Sequence, residues 1–132
     1  MTENEKEYIK QWLFRAGEDI AVIHALSIQN TELYASTICF HCQQAVEKYL
    51  KAFLVYKKIE FPKTHDVDFL LSKCISINPL LFEKFDFKNL TDFGVDIRYP
   101  DDFYIPEISE TQEYIRISTE LKDLIENLIS FE

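Results

Sequence analysis

Two glycines and four prolines in 132 residues are too few for a chain built on tight turns. β-rich folds turn often, and turns draw on Gly, Pro and Asn because those residues reach backbone angles that others avoid. A chain so poor in them is left with long helices and few loops. Its length is that of one domain and suffices for one core, so a single helical domain over residues 1–132 is expected. With 47% hydrophobic and 28% charged residues, the composition is that of a globular protein and not a disordered one.

Apolar spacing locates the helices. In the first, from about Asn4 to Ile28, the stripe runs Tyr8, Trp12, Leu13, Ala16, Ile20, Ile23, Leu26. Asp19 falls on or beside it, and a carboxylate there needs a partner on a neighbouring helix. The second, from about Glu32 to Lys58 with Thr31 as its expected N-cap, has two apolar faces. One carries Ile38, Cys42, Ala45, Tyr49 and Ala52, the other Cys39, Val46, Leu50 and Leu54. A helix apolar on two faces lies at the centre of a bundle or supports a subunit interface. Thr64 is the expected cap of a third helix ending near Asn78, since Pro79 disfavours helical geometry just before it. A short turn over 79–84 and a fourth helix over 86–97 follow, anchored by Phe87, Leu90 and Phe93. The wealth of Phe over 82–93 suggests apolar surface covered by another chain. The last helix spans about Glu107 to Ser130. Together these make an all-α, up-and-down bundle of four to five helices.

A net charge of −9 argues against a general nucleic-acid binder, although Lys48, Lys51, Lys57, Lys58 and Lys63 leave a local basic cluster. Cys39 and Cys42 form a CxxC on a helix without the further ligands that structural zinc needs. With Cys74 they read as buried, reduced thiols. No metal or cofactor is expected. No apolar run approaches the roughly 20 residues of a membrane span, so no membrane contact is expected. The N-terminus has no signal-peptide pattern, and the cytoplasm is the expected compartment.

Three segments carry a family likeness: RAGEDIAVIHAL in the first helix, FHCQQAVEKYLKAFLVYKKIEFPKTHDVDFLL from the second, and DIRYPDDF after the fourth. Together they resemble the prokaryotic HEPN family, the "higher eukaryotes and prokaryotes nucleotide-binding" domain. The resemblance implies a helical bundle that is usually a homodimer. It also implies a neighbouring minimal nucleotidyltransferase with which the chain works as a two-gene module, often of toxin–antitoxin type. Other branches are metal-independent ribonucleases, with an Arg at the end of the fourth helix and a His a few residues on, paired across the dimer cleft. Arg98 matches that Arg, but no His stands between Tyr99 and Ile105, and His24, His41 and His65 all precede it. A lone Arg binds phosphate and does not readily move protons. In a related branch the partner enzyme adds AMP to a Tyr just beyond the pair, which makes Tyr99 and Tyr104 the acceptor candidates.

The expectation is therefore a non-catalytic HEPN subunit whose nucleotide- or partner-binding residues are Arg98, Tyr99, Asp101, Tyr104, Gln43, Gln44 and Lys48. The alternatives are a ribonuclease toxin using Arg98 without the usual His, and a structural homodimer with no ligand. On structural grounds alone, Arg98 would complement a helix C-terminus or pair with nearby aspartates, and Asp101 and Asp102 would form a solvated turn rather than a Mg²⁺ site. Likewise His65 would cap or pack the third helix, and Gln43, Gln44 and Lys48 would form an exposed polar face.

Overall fold

The computed structural model describes residues 1–94 and 104–132. Its α-helices are α1 (Glu3–Asn30), α2 (Ala35–Tyr56), α3 (Val67–Ile77), the single turn α4 (Pro79–Phe82) and α5 (Ile108–Leu128). Leu90–Phe93 adds a 3₁₀ turn, and no strand occurs among the described residues. The all-helical bundle expected from the scarcity of turn residues is the fold observed.

Helix α2 is its axis and packs against α1, α3, α5 and the 3₁₀ turn. Fourteen of its 22 residues are buried, as expected of a helix with two apolar faces. Its Ile38, Val46, Leu50 and Leu54 share one core with Ile20 and Ile23 of α1, Leu70 of α3, and Leu121 and Ile125 of α5. Burying one such side chain contributes about 1.5–3 kcal/mol.

Local chemistry sets the helix ends. Thr2 begins α1, its hydroxyl accepting from the Glu5 N–H. Thr31 does not cap α2 as expected. Its hydroxyl donates back to the Ser27 carbonyl at 3.2 Å, because residues 31–34 continue as a turn bonded to the end of α1. Helix α2 ends in a Schellman motif, with Ile59 N–H on the Leu54 carbonyl and Lys58 N–H on the Val55 carbonyl. Lys58 there takes the left-handed conformation, φ 60°, that usually falls to Gly. Asp66, not Thr64, caps α3. Its carboxylate accepts from the N–H groups of Asp68 and Phe69, while Thr64 accepts only from Asp66 N–H.

The expected fourth helix is not observed in its described part. Asp86 accepts from the Lys88 N–H, Lys88 adopts φ 50°, and this turns the chain before a helix can start. Residues 95–97 of that expected helix lie outside the described residues. The phenylalanines of this stretch do not form an open surface either. Phe82, Phe85, Phe87 and Phe93 are buried, with Phe82 4.9 Å from Phe53 and Phe93 5.7 Å from Tyr114 between ring centroids.

Candidate functional site

The polar residues in the middle of α2 do not form the exposed face: Gln44 and Lys48 are half-buried, and Gln43, Glu47 and Lys51 are buried. Gln43, Glu47 and Lys51 lie one helical turn apart and are 0%, 4% and 6% exposed. A buried carboxylate and a buried ammonium are costly unless paired. Glu47 meets that need three ways. Its Oε2 accepts from Lys51 Nζ at 3.0 Å, and its Oε1 accepts from Gln43 Nε2 at 3.2 Å and lies 2.9 Å from His65 Nδ1. The Gln43 amide is fully used: its Nε2 also donates to the His65 carbonyl at 2.8 Å, and its Oε1 accepts from Gln44 Nε2 at 2.7 Å. This ladder ties α2 to the loop before α3.

His65 thus packs against α2 rather than capping α3. A carboxylate facing Nδ1 favours the proton on that nitrogen, and Nε2 makes no hydrogen bond among the described residues. The side chain is 76% exposed, so an oriented imidazole stands open to solvent. The arrangement has the chemistry of an acid–base group: a ring held by a buried carboxylate with one nitrogen free to take or give a proton.

A second group lies toward α1. Asp19, 6% exposed, accepts from Lys48 Nζ at 2.5 Å and lies 2.8 Å from His41 Nδ1. The partner that a carboxylate on the apolar stripe requires is thus supplied by α2, and Lys48 is committed to Asp19. The expected lysine cluster divides accordingly. Lys51 belongs to the Glu47 ladder, Lys57 lies over the Phe53 and Tyr56 rings, and Lys58 is 3.9 Å from Glu5.

Arg98, Tyr99 and Asp101 lie outside the described residues. The chain on either side of them is described. Gly94 packs on Gln43 so closely that a Cβ there would meet the Gln43 amide at 3.1 Å and the Thr91 carbonyl at 3.2 Å. Tyr104 is about half exposed, its hydroxyl donating to Glu110 Oε1 at 2.7 Å, and that hydrogen bond raises its pKa. The segment holding Arg98 therefore departs from beside the Gln43 ladder and returns at an exposed tyrosine with a carboxylate partner. Of the residues expected at the site, Gln43 and Gln44 share one network and Lys48 a second.

On the other side of α2, Cys39 lies 3.7 Å from Thr111 Oγ1 and Cys42 3.9 Å from Ser118 Oγ. All three thiols are free and buried, and burial pushes Cys39 up to about 11, Cys74 up to about 12 and Cys42 higher still. Thiols so resistant to ionisation are poor nucleophiles and poor metal ligands. No group of His, Cys, Asp and Glu among the described residues is arranged to hold a metal. No described helix is long and apolar enough to cross a membrane.

Glu47 and the burial of Lys51 were missed in the sequence. The signal was the spacing of Gln43, Glu47 and Lys51 at four-residue intervals, a row that reads equally well as a solvated stripe.

A helical bundle whose central helix carries such a polar row defines an all-α scaffold with one chemically distinct face. The HEPN domain family model matches residues 9–128, from within α1 to the end of α5. The chain belongs to the HEPN domain family. No match was found among curated proteins or among solved structures.

Proposed function

We propose that the chain is the HEPN subunit of a two-component module whose other member is a minimal nucleotidyltransferase. In this reading it acts as a homodimer and engages its partner through the Gln43–Gln44–Lys48 side of α2 and the segment holding Arg98, Tyr99 and Asp101. Tyr104 is then the acceptor of a nucleotidyl group, and the module is of toxin–antitoxin type. HEPN membership carries the reading, and the exposed Tyr104 hydroxyl beside Glu110 supports the acceptor role. Captured from its native host, the tagged chain should bring down a nucleotidyltransferase-fold protein in near-equal amount, and Tyr104 should gain the mass of a nucleotidyl group. Capture without such a protein would count against the reading.

One observation favours a second reading, a ribonuclease in which His65 serves as the proton-transfer group beside Arg98. It is the open imidazole held by Glu47, close to where the Arg98 segment begins. Total RNA incubated with the pure chain tests this. Cleavage lost in both His65→Ala and Arg98→Ala supports it, and intact RNA removes it.

A further inference from the structure

The outer face of α1 carries an apolar strip that the rest of the chain leaves bare. Phe14 and Ile28 are 69% and 84% exposed. Between them Ala21 and Ala25 are exposed and Gly17 is partly so. Residues spaced by three or four along a helix share one face, so these five form a continuous strip. A Cβ built on Gly17 would meet nothing within 4 Å. Single exposed apolar side chains are ordinary, whereas a contiguous strip marks a contact surface.

The strip is symmetric about Ala21. Phe14 and Ile28 stand seven residues to either side, close to two turns, and Gly17 and Ala25 stand four. An antiparallel second copy, related by a two-fold axis at Ala21, would lay Phe14 on Ile28 and Gly17 on Ala25. Ala21 would then meet itself. With small residues at the centre, the helices can approach to the near end of the usual spacing of about 8–10 Å. Lys10 and Glu32 stand eleven residues to either side, close to three turns. Thr31 is still helical, with φ −59° and ψ −40°, so Glu32 prolongs the same face. Glu32 makes no ion pair among the described residues, and Lys10 lies 5.2 Å over the Phe131 ring. In the antiparallel pair each Lys10 faces a Glu32, whereas in a parallel pair Lys10 would face Lys10. We infer that this strip is an interface with a second copy of the chain, antiparallel and centred on Ala21. The inference rests on the homodimer of the proposed module and gives that homodimer its surface. An interface of this kind closes at two copies and uses no residue of the Glu47 ladder.

Sedimentation equilibrium of the full chain should give twice the 15.7 kDa of one copy. Ala21→Arg places a charge at the two-fold axis and should sediment as the monomer. Its helical circular dichroism should not change, because Ala21 is exposed in the single chain. Ala21→Cys should form a covalent dimer on mild oxidation, and the unsubstituted chain, whose three thiols are buried, should not. Lys10→Glu and Glu32→Lys should each weaken the dimer several-fold, and the two together should restore it. A monomeric unsubstituted chain would overturn both this inference and the homodimer reading. A dimer that survives Ala21→Arg, with Ala21→Cys left uncrosslinked, would overturn the inference alone. So would a still-dimeric Ala21→Arg that no longer captures a nucleotidyltransferase, since the strip would then belong to that partner. Failure of the paired charge reversal to restore the dimer would overturn the antiparallel arrangement.

Discussion

Where α2 meets α5, weakly polar contacts sit within an apolar core: Cys39 faces Thr111, Cys42 faces Ser118, and Leu121 and Ile125 fill the space around them. Where it meets α1 and the loop before α3, the contacts join charged and amide groups: Asp19 with His41 and Lys48, Glu47 with Lys51, Gln43 and His65. Both sides are buried, yet they respond to change differently. The first depends on volume and tolerates substitutions that conserve it. The second depends on pairing, and removing one member leaves another buried and uncompensated.

The sharpest way to break this comparison is Glu47→Ala. It strands the Lys51 ammonium and frees the Gln43 amide, and should cost about 3–5 kcal/mol in denaturant unfolding. A loss below about 1 kcal/mol, the usual range of exposed pairs, would show that solvent reaches the ladder and that the two sides are alike. On the apolar side, Leu121→Ala should cost about 2–4 kcal/mol through the cavity it leaves, and refilling the site with Met should restore most of that.

Gly94→Ala probes the join between the ladder and the Arg98 segment. The added methyl would press on the Gln43 amide and on the Thr91 carbonyl, and because Gln43 is held by Glu47, His65 and Gln44 it cannot easily yield. A loss of about 1–2 kcal/mol is expected. Gln43→Ala should relieve much of it, a coupling that a double-mutant cycle measures directly.

The smallest effect is one of pH. Burial raises Cys39 to about 11 and Cys74 to about 12, from 9.0 in the unfolded chain. With the folded pKa raised, the stability these thiols contribute is complete below pH 9 and is lost as pH rises through 11 and 12. Tm should therefore fall at alkaline pH, and fall less steeply in Cys74→Ala. An identical slope would mean that the thiols ionise alike in both states.

How much of this was legible in the sequence follows from what each signal encodes. The long helices, the centrality of α2 and the partnering of Asp19 could all be read, because apolar periodicity and the cost of a buried carboxylate are properties of the residues alone. The helix expected over 86–97 could not be corrected in advance. Phe87, Leu90 and Phe93 have helical spacing, and only the left-handed Lys88 shows that the same spacing serves a turn and a 3₁₀ segment. Gln43, Gln44 and Lys48 were picked out as binding candidates, with an exposed polar face as the alternative. Whether a polar stripe is solvated depends on what packs over it, and the covering residue, His65, is remote in sequence and reaches Glu47 only in the folded chain. Arg98, Tyr99 and Asp101 remain proposals on the family resemblance.

The central claim is the proposed one, that the charged side of α2, with the segments flanking it, is the working face and the remainder is scaffold. Amide hydrogen exchange of the chain, alone and with the proposed nucleotidyltransferase partner, tests this most directly. The account predicts slowed exchange in the loop over 59–66 and from Tyr104 to Ile108, with the outer face of α1 around Phe14 and Arg15 unchanged. Slowing confined to that outer face would contradict it.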